Sequence, residues 1–361
     1  MEAANGLREA FPVLRRVAYL NAGTCGPVPA AATAAAEREL RRELEEGRAG
    51  MAHFMRVKEL AGRLREVYAQ RLGCAPGDVA LTSSTTDGIA TAMAGLGLGA
   101  GDEVLTSDTE HPGVLGPLQA LRDLDGVQVR TAPLADLAEA AGPATRAVVC
   151  SHVSWITGEV APLADLASLE APVVVDGAQG IGAVAVDVRA LGCEVYAASG
   201  QKWLCGPEGA GMLYVAPEFR DRLAPTRRGF LAFEDPNRGL DSRLAPDARR
   251  FEPPANHGAA LLAYALAAHD ALAAAGWDAV HARAAALAAS LAERLAERGH
   301  EVCPRAPTTL VAWRDPAMEE TARRLAGEGV AIRPLPGRDL LRASVGAWND
   351  ESDLERLVAA L

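Results

Sequence analysis

Short apolar runs alternate along the chain with longer stretches of helical period, the pattern of an α/β protein on a mostly parallel sheet. Strands are predicted over Glu103–Thr106, Ala147–Ser151, Val173–Val175, Val195–Ala198 and Gly211–Val215. Helices are predicted over Ala30–Glu46, Val57–Leu72, Gly88–Leu96, Pro162–Leu169, His257–Ala275 and Trp277–Arg298. Residues Ala216–Pro254 are rich in Pro, Arg and Gly and read as an irregular excursion. Beyond the long helices, Val302–Trp313, Gly329–Arg333 and Leu341–Ser344 read as strands and Glu351–Leu361 as a last helix, together a smaller α+β unit.

Composition narrows the class. With 361 residues, 49% hydrophobic and 23% charged, the chain is globular and long enough to bury a large core. Thirty-six basic against 47 acidic residues leave a net charge of -11, which argues against nucleic acid or an anionic membrane as partner. Met1–Ala10 carries two glutamates, so no secretory signal is expected, and the most apolar stretch, Ala259–Trp277, is interrupted by His269 and Asp270. The six cysteines are scattered without CxxC spacing, as expected of free thiols in a cytoplasmic protein; no metal site is predicted. Only two lysines occur, Lys58 and Lys202.

Lys202 draws attention by its setting. Asp176 ends an all-valine strand, where α/β sheets place ligands, and Lys202 follows another short apolar strand closed by Ser199-Gly200. A carboxylate and an amine at neighbouring strand ends suit a cofactor with a pyridinium nitrogen and an aldehyde. Taken alone, the two read as a structural ion pair or two surface charges; the residues around them point to a ligand site. The hydroxyl run Thr82-Ser83-Ser84-Thr85-Thr86 leads into a helix and offers a phosphate cradle or an ordinary N-cap. His111 stands after a strand, placed to stack on a ring or to serve as a loop residue. The run Gly95–Gly101 misses the dinucleotide spacing and reads as a helix-to-strand turn.

The chain resembles the class V aminotransferase group of pyridoxal-phosphate enzymes of fold type I. The matching pieces are YLNAGTCGPVP, SSTTDG, GAGDEVLTSDTEHPGV, SHVSWITGEVAPL, VVVDGAQGIGAVAVDV, YAASGQKWLCGPEGAGMLYV and LLRASVGAWNDESDLERL, in family order. The resemblance implies an N-terminal segment (1–20) near the active site, a large cofactor-binding domain (21–275) and a small C-terminal domain (276–361). It implies pyridoxal 5'-phosphate held by Lys202, with Asp176 on the ring nitrogen, Gln179 at the ring hydroxyl and His111 stacked on the ring. Ser84, Thr85, Thr86, Ser199 and Gln201 would surround the phosphate. Arg342 would grip the substrate α-carboxylate, with Asn21 and Trp155 on the substrate side. A homodimer is implied, with Asn256 or His257 as donor across it.

Departures from the family pattern bear on the reaction. Residues 330–342 run to Arg342 without the nucleophilic cysteine of a desulfurase. Gln201 stands where a histidine is common, Trp155 where an asparagine is usual, and Pro254-Ala255-Asn256 where Gly-Thr-Pro is common. The resemblance is closest to the cyst(e)ine C–S lyase and isopenicillin-N-epimerase-like branch. It implies β-elimination from a cystine-type amino acid or cysteine conjugate to pyruvate and ammonia. Transamination, racemisation and cofactor binding without turnover are the alternatives.

Overall fold

A computed structural model describes residues 2–253 and 257–361. In chain order the strands are β1 (Ala18–Tyr19), β2 (Val79–Thr82), β3 (Glu103–Ser107), β4 (Gln128–Ala132), β5 (Thr145–Ser151), β6 (Val173–Asp176), β7 (Val195–Ser199), β8 (Gly211–Val215), β9 (Leu310–Arg314), β10 (Val330–Ala331), β11 (Arg333–Leu335) and β12 (Leu340–Ser344). Seven of them form the main sheet in the order β2-β8-β7-β6-β5-β3-β4. Strand β8 is antiparallel to both its neighbours; the other six run one way.

Sequence dictates this centre. Val173-Val174-Val175 are β-branched and all buried, as a strand covered on both faces requires. The register Ser151↔Asp176 and Asp176↔Ala197 brings the polar strand ends to one edge. The helix Thr85–Gly95 lies on the sheet at Gly88, where a Cβ would come within 2.8 Å of the Ala197 Cβ. Only glycine allows that approach.

A second core is built by the three-stranded sheet β11-β12-β9, the helix Trp277–Glu297 and the helix Glu351–Ala360, around Trp313, Leu291, Leu341 and Leu354. The chain start is stitched into it: β1 pairs parallel with β10, and Asn21 bridges to Ser344. Arg8 adds a clamp, donating to Asp353 at 2.6 Å and lying 3.1 Å from Asp350.

Several predicted boundaries shift. The helix expected from Val57 starts at Met51, so Met51, His53 and Phe54 belong to its first turn. Strand β4 and the helix Pro112–Asp125 were hidden by mixed polarity, and β2 by the hydroxyl run that continues from its Thr82; β4 has no fully buried residue, which erases the apolar signal of an edge strand. Of Val302–Trp313, Leu310–Trp313 falls in a strand (β9) and Val302 makes an isolated bridge to Trp313, while the Pro-containing stretch between cannot sustain a ladder. Gly95–Gly101 is a helix-to-strand turn, with Gly97 and Gly101 at positive φ. No single described helix is long and apolar enough to cross a membrane; one bent pair, Ala259–Ala273 with Trp277–Glu297, meets the length and composition test across a 76° break.

Candidate active site

Strand ends of the main sheet converge on a cavity of about 220 Å³. From β2, the chain enters the helix Thr85–Gly95 through Ser84, whose Oγ accepts the Asp87 N–H at 3.1 Å. Asp87 in turn accepts from the Ser83 N–H and hydroxyl, at 3.0 and 3.1 Å. This reciprocal cap leaves first-turn amides open beside the Ser84, Thr85 and Thr86 side chains, an anion cradle by geometry and dipole. Buried Thr85 Oγ1 and Gln201 Oε1 have no hydrogen-bond partner among the described residues. Ser199 and Gln201 complete the same wall.

From β3 comes Glu110, which ties two strand ends together. It accepts from Ser107 Oγ at 2.7 Å, Ser151 N–H at 2.9 Å and Ser151 Oγ at 2.6 Å. The next residue, His111, accepts the Gly113 N–H on Nδ1 at 3.0 Å, which places its proton on Nε2. Burial pushes its pKa down to about 4, helped by the positive charges of Lys202, Arg333 and Arg342. The imidazole is therefore neutral at pH 7. Trp155, beyond β5, meets it edge-on with ring centroids 5.1 Å apart and donates its indole N–H to Thr109 O at 3.0 Å.

Asp176 closes β6, with only 5% of its surface exposed. Burial raises its pKa; the Lys202 charge and the Ala178 N–H, donated at 2.8 Å, oppose that rise. Beside it, Gly177 has no room for a side chain, since a Cβ would sit 1.9 Å from the Tyr196 ring. Gln179 accepts from Trp203 Nε1 at 2.9 Å and donates to Gly23 O at 2.8 Å, so one amide N–H remains free. Lys202 follows β7, and burial lowers its amine to about 8, against the pull of Asp176. No direct ion pair joins Asp176 to Lys202 among the described residues, although both face the cavity. They flank a space and do not neutralise each other at contact.

Strand β12 supplies Arg342, 1% exposed. Its Nη1 donates to Trp155 O, while Nε and Nη2 are buried without partners. Those two atoms form one edge of the guanidinium, the fork that a carboxylate fits. Burial lowers Arg342 to about 9, with Arg333 as the second cause. A Cβ on Gly23 would stand 3.0 Å from Nη2, so this glycine keeps the edge clear.

The sequence-predicted residues Ser84, Thr85, Thr86, His111, Trp155, Asp176, Gln179, Ser199, Gln201, Lys202 and Arg342 all line the cavity. Asn21 does not; its side chain instead accepts from Thr24 Oγ1 at 2.8 Å. Asn256 lies outside the described residues. His257 contacts Thr82 O at 3.0 Å within the same chain. Sequence reading missed Gly23, Thr24, Ala178 and Arg333. Only Arg333 left a signal: it sits nine residues before Arg342, at the reach of a tight hairpin, and is its direct cross-strand partner.

This fold and cavity define a fold type I enzyme built around an anion cradle, a buried carboxylate and a lysine. The aminotransferase class V model matches residues 18–357, and the chain belongs to that family of pyridoxal-phosphate-dependent enzymes. It is 31% identical to an isopenicillin N epimerase from Amycolatopsis lactamdurans, over 98% of this chain and 96% of that protein. It is 32% identical to a cysteine desulfurase from Dickeya dadantii (strain 3937), covering 79% and 76%. Among solved structures it is similar to the cystine C–S lyase C-DES in complex with its reaction product cysteine persulfide. There the TM-score is 0.90 and the identity 27%, over 97% of this chain and 98% of that one.

The residues present fit pyridoxal phosphate. The partnerless Thr85 hydroxyl and the open helix start suit a phosphate, and the gap between Asp176 and Lys202 suits a ring flanked by His111.

Proposed function

We propose that this enzyme β-eliminates from a cystine-type amino acid: the Cα–H and Cβ–S bonds break, the sulfur departs on its own fragment as a persulfide, and water hydrolyses the released aminoacrylate to pyruvate and ammonia. One observation carries the reading: two arginines face the cavity of Lys202, and among the described residues neither has a carboxylate partner and no cysteine lines the cavity. Arg342 takes the α-carboxylate on its free edge, which aims Cα at the Lys202 amine. Arg333, on the neighbouring strand, meets a second acidic group such as the distal carboxylate of cystine. Pyridoxal phosphate, when bound, supplies an aldehyde for the amino group and a protonated ring that draws electrons from Cα.

Each side chain then has a task. Lys202 holds the cofactor, and its lowered basicity lets the free amine accept the Cα proton near neutrality. Asp176, kept from water, meets the ring nitrogen. Neutral His111 stacks on the ring and adds no charge. Ser84, Thr85, Thr86, Ser199 and Gln201 hold the phosphate, and the remaining Gln179 N–H serves the ring hydroxyl, since the Trp155 indole is committed to Thr109. The hairpin between β11 and β12 closes over Pro336-Gly337-Arg338-Asp339, too tight for a mobile thiol-bearing loop. Sulfur therefore leaves with the substrate's own fragment, without transfer to an enzyme cysteine.

We also propose a homodimer in a reducing, cytoplasmic setting. Six unpaired cysteines support the latter. Met51 and Met55 are exposed by 70% and 51%, and Phe54 and Val57 on the same helix line a hollow of about 530 Å³ with Leu231, a face suited to a second copy.

The test is incubation of the holoenzyme with cystine, without keto-acid acceptor, scored for pyruvate, ammonia and sulfane sulfur. Pyruvate formation supports elimination. Accumulated pyridoxamine phosphate sinks it in favour of transamination, and inverted substrate without pyruvate in favour of racemisation.

A further inference from the structure

The two cavity arginines pose a problem of orientation. Arg342 is fixed by the Trp155 carbonyl and by complete burial. Arg333 is only half-buried, sits beside a like charge and has no carboxylate partner among the described residues. Repulsion from Arg342 would drive such a side chain toward solvent, out of the cavity. One contact opposes this: Arg333 Nη1 donates to Thr24 Oγ1 at 3.1 Å. The Thr24 hydroxyl proton is itself directed away, donated to Asn21 Oδ1 at 2.8 Å. A hydroxyl whose hydrogen is committed presents only lone pairs to the guanidinium.

The loop that carries Thr24 is held to the strands that carry both arginines. Asn21 bridges to Ser344 on β12, two residues from Arg342. Gly23 is wedged so closely that a Cβ would meet Ser344 Oγ at 2.7 Å and Gln179 Oε1 at 3.1 Å. Arg333 and Arg342 are direct partners across the β11–β12 ladder. The hydroxyl therefore sits at a fixed place relative to both guanidinium groups.

We propose that Thr24, oriented by Asn21, is a positioning residue that holds Arg333 in the cavity and so selects ligands with a second acidic group. This rests on the substrate reading above, in which Arg342 already takes the first carboxylate. The hydroxyl touches Arg333 and need not touch the reacting atoms, so its loss changes which ligands bind more than how fast the bond breaks.

The experiment compares binding of glutarate, a di-acid, with butyrate, a mono-acid, to the holoenzyme by calorimetry. Wild type binds glutarate the more tightly. Thr24→Val, nearly isosteric, weakens glutarate by roughly tenfold and butyrate by less than about twofold, the loss expected for one hydrogen bond to a charged group. Thr24→Ser restores the wild-type ratio, and Asn21→Ala weakens glutarate in the same sense. Equal weakening of both acids, or an unchanged glutarate affinity in Thr24→Val, overturns the proposal. Binding is read without turnover, so absence of pyruvate from cystine would refute the elimination reading alone, whereas a failed di-acid preference would refute this one.

Discussion

At the residue scale, the site runs on depressed basicity. Lys202 ordinarily would carry its proton to pH 10.5; burial brings that to about 8. Because only the neutral amine attacks an aldehyde, capture of pyridoxal phosphate by the apoenzyme should accelerate as pH rises and level off above about 8. Stopped-flow absorbance across pH 6 to about 10 checks this; a rate still climbing at the top, as for an exposed lysine, would contradict it. Asp176→Asn should retain the captured cofactor but lower turnover of cystine by roughly 10²-fold or more, since a carboxamide cannot hold a proton on the ring nitrogen. Absorbance of the purified variant separates that loss from failed loading. Scarcity of lysine itself carries no mechanism, but arginine could not replace Lys202 in this role.

At the element scale, the sheet was legible where strands are apolar on both faces and illegible where they are not. β5, β6, β7 and β8 were found because strands buried on both faces read as unbroken apolar runs, whether parallel like the first three or antiparallel like β8. β2 was missed although it is fully buried, because its Thr82 merges with the hydroxyl run that follows. The cofactor wall was readable for a related reason: its residues are contiguous motifs at strand ends. Thr24 was not, since its importance arises from contact with Arg333 across a 309-residue separation, closed by contacts such as the β1–β10 pairing and the Asn21 bridge; Arg333 left only its nine-residue spacing from Arg342. Gly88 tests the packing that seats the phosphate helix. Gly88→Ala puts a methyl 2.8 Å from the Ala197 Cβ and should cost about 1–3 kcal/mol through overpacking, read as a lower urea midpoint. Weaker phosphate-dependent cofactor retention should accompany it, because the helix start moves with the strain.

At the scale of the whole molecule, the active site is shared between parts of the chain that meet late. Arg8, in the helix Glu2–Glu9, joins that helix to Asp353, which is completely buried. Arg8→Ala should lower stability by about 1–3 kcal/mol, as the carboxylate keeps Asn349 but loses its cation; urea unfolding measures it. The same closure has a consequence for the order of assembly. The cradle and Lys202 belong to strands complete by Val215, whereas Arg342 is synthesised 140 residues after Lys202. At about 5–20 residues per second, the ribosome takes roughly 7–28 s to cover that interval. During it the nascent chain owns the cavity lysine without the two cavity arginines, and β1 waits unpaired for β10. On the proposed roles, chemistry and selectivity are thus acquired in sequence, with the power to react arriving before the power to discriminate.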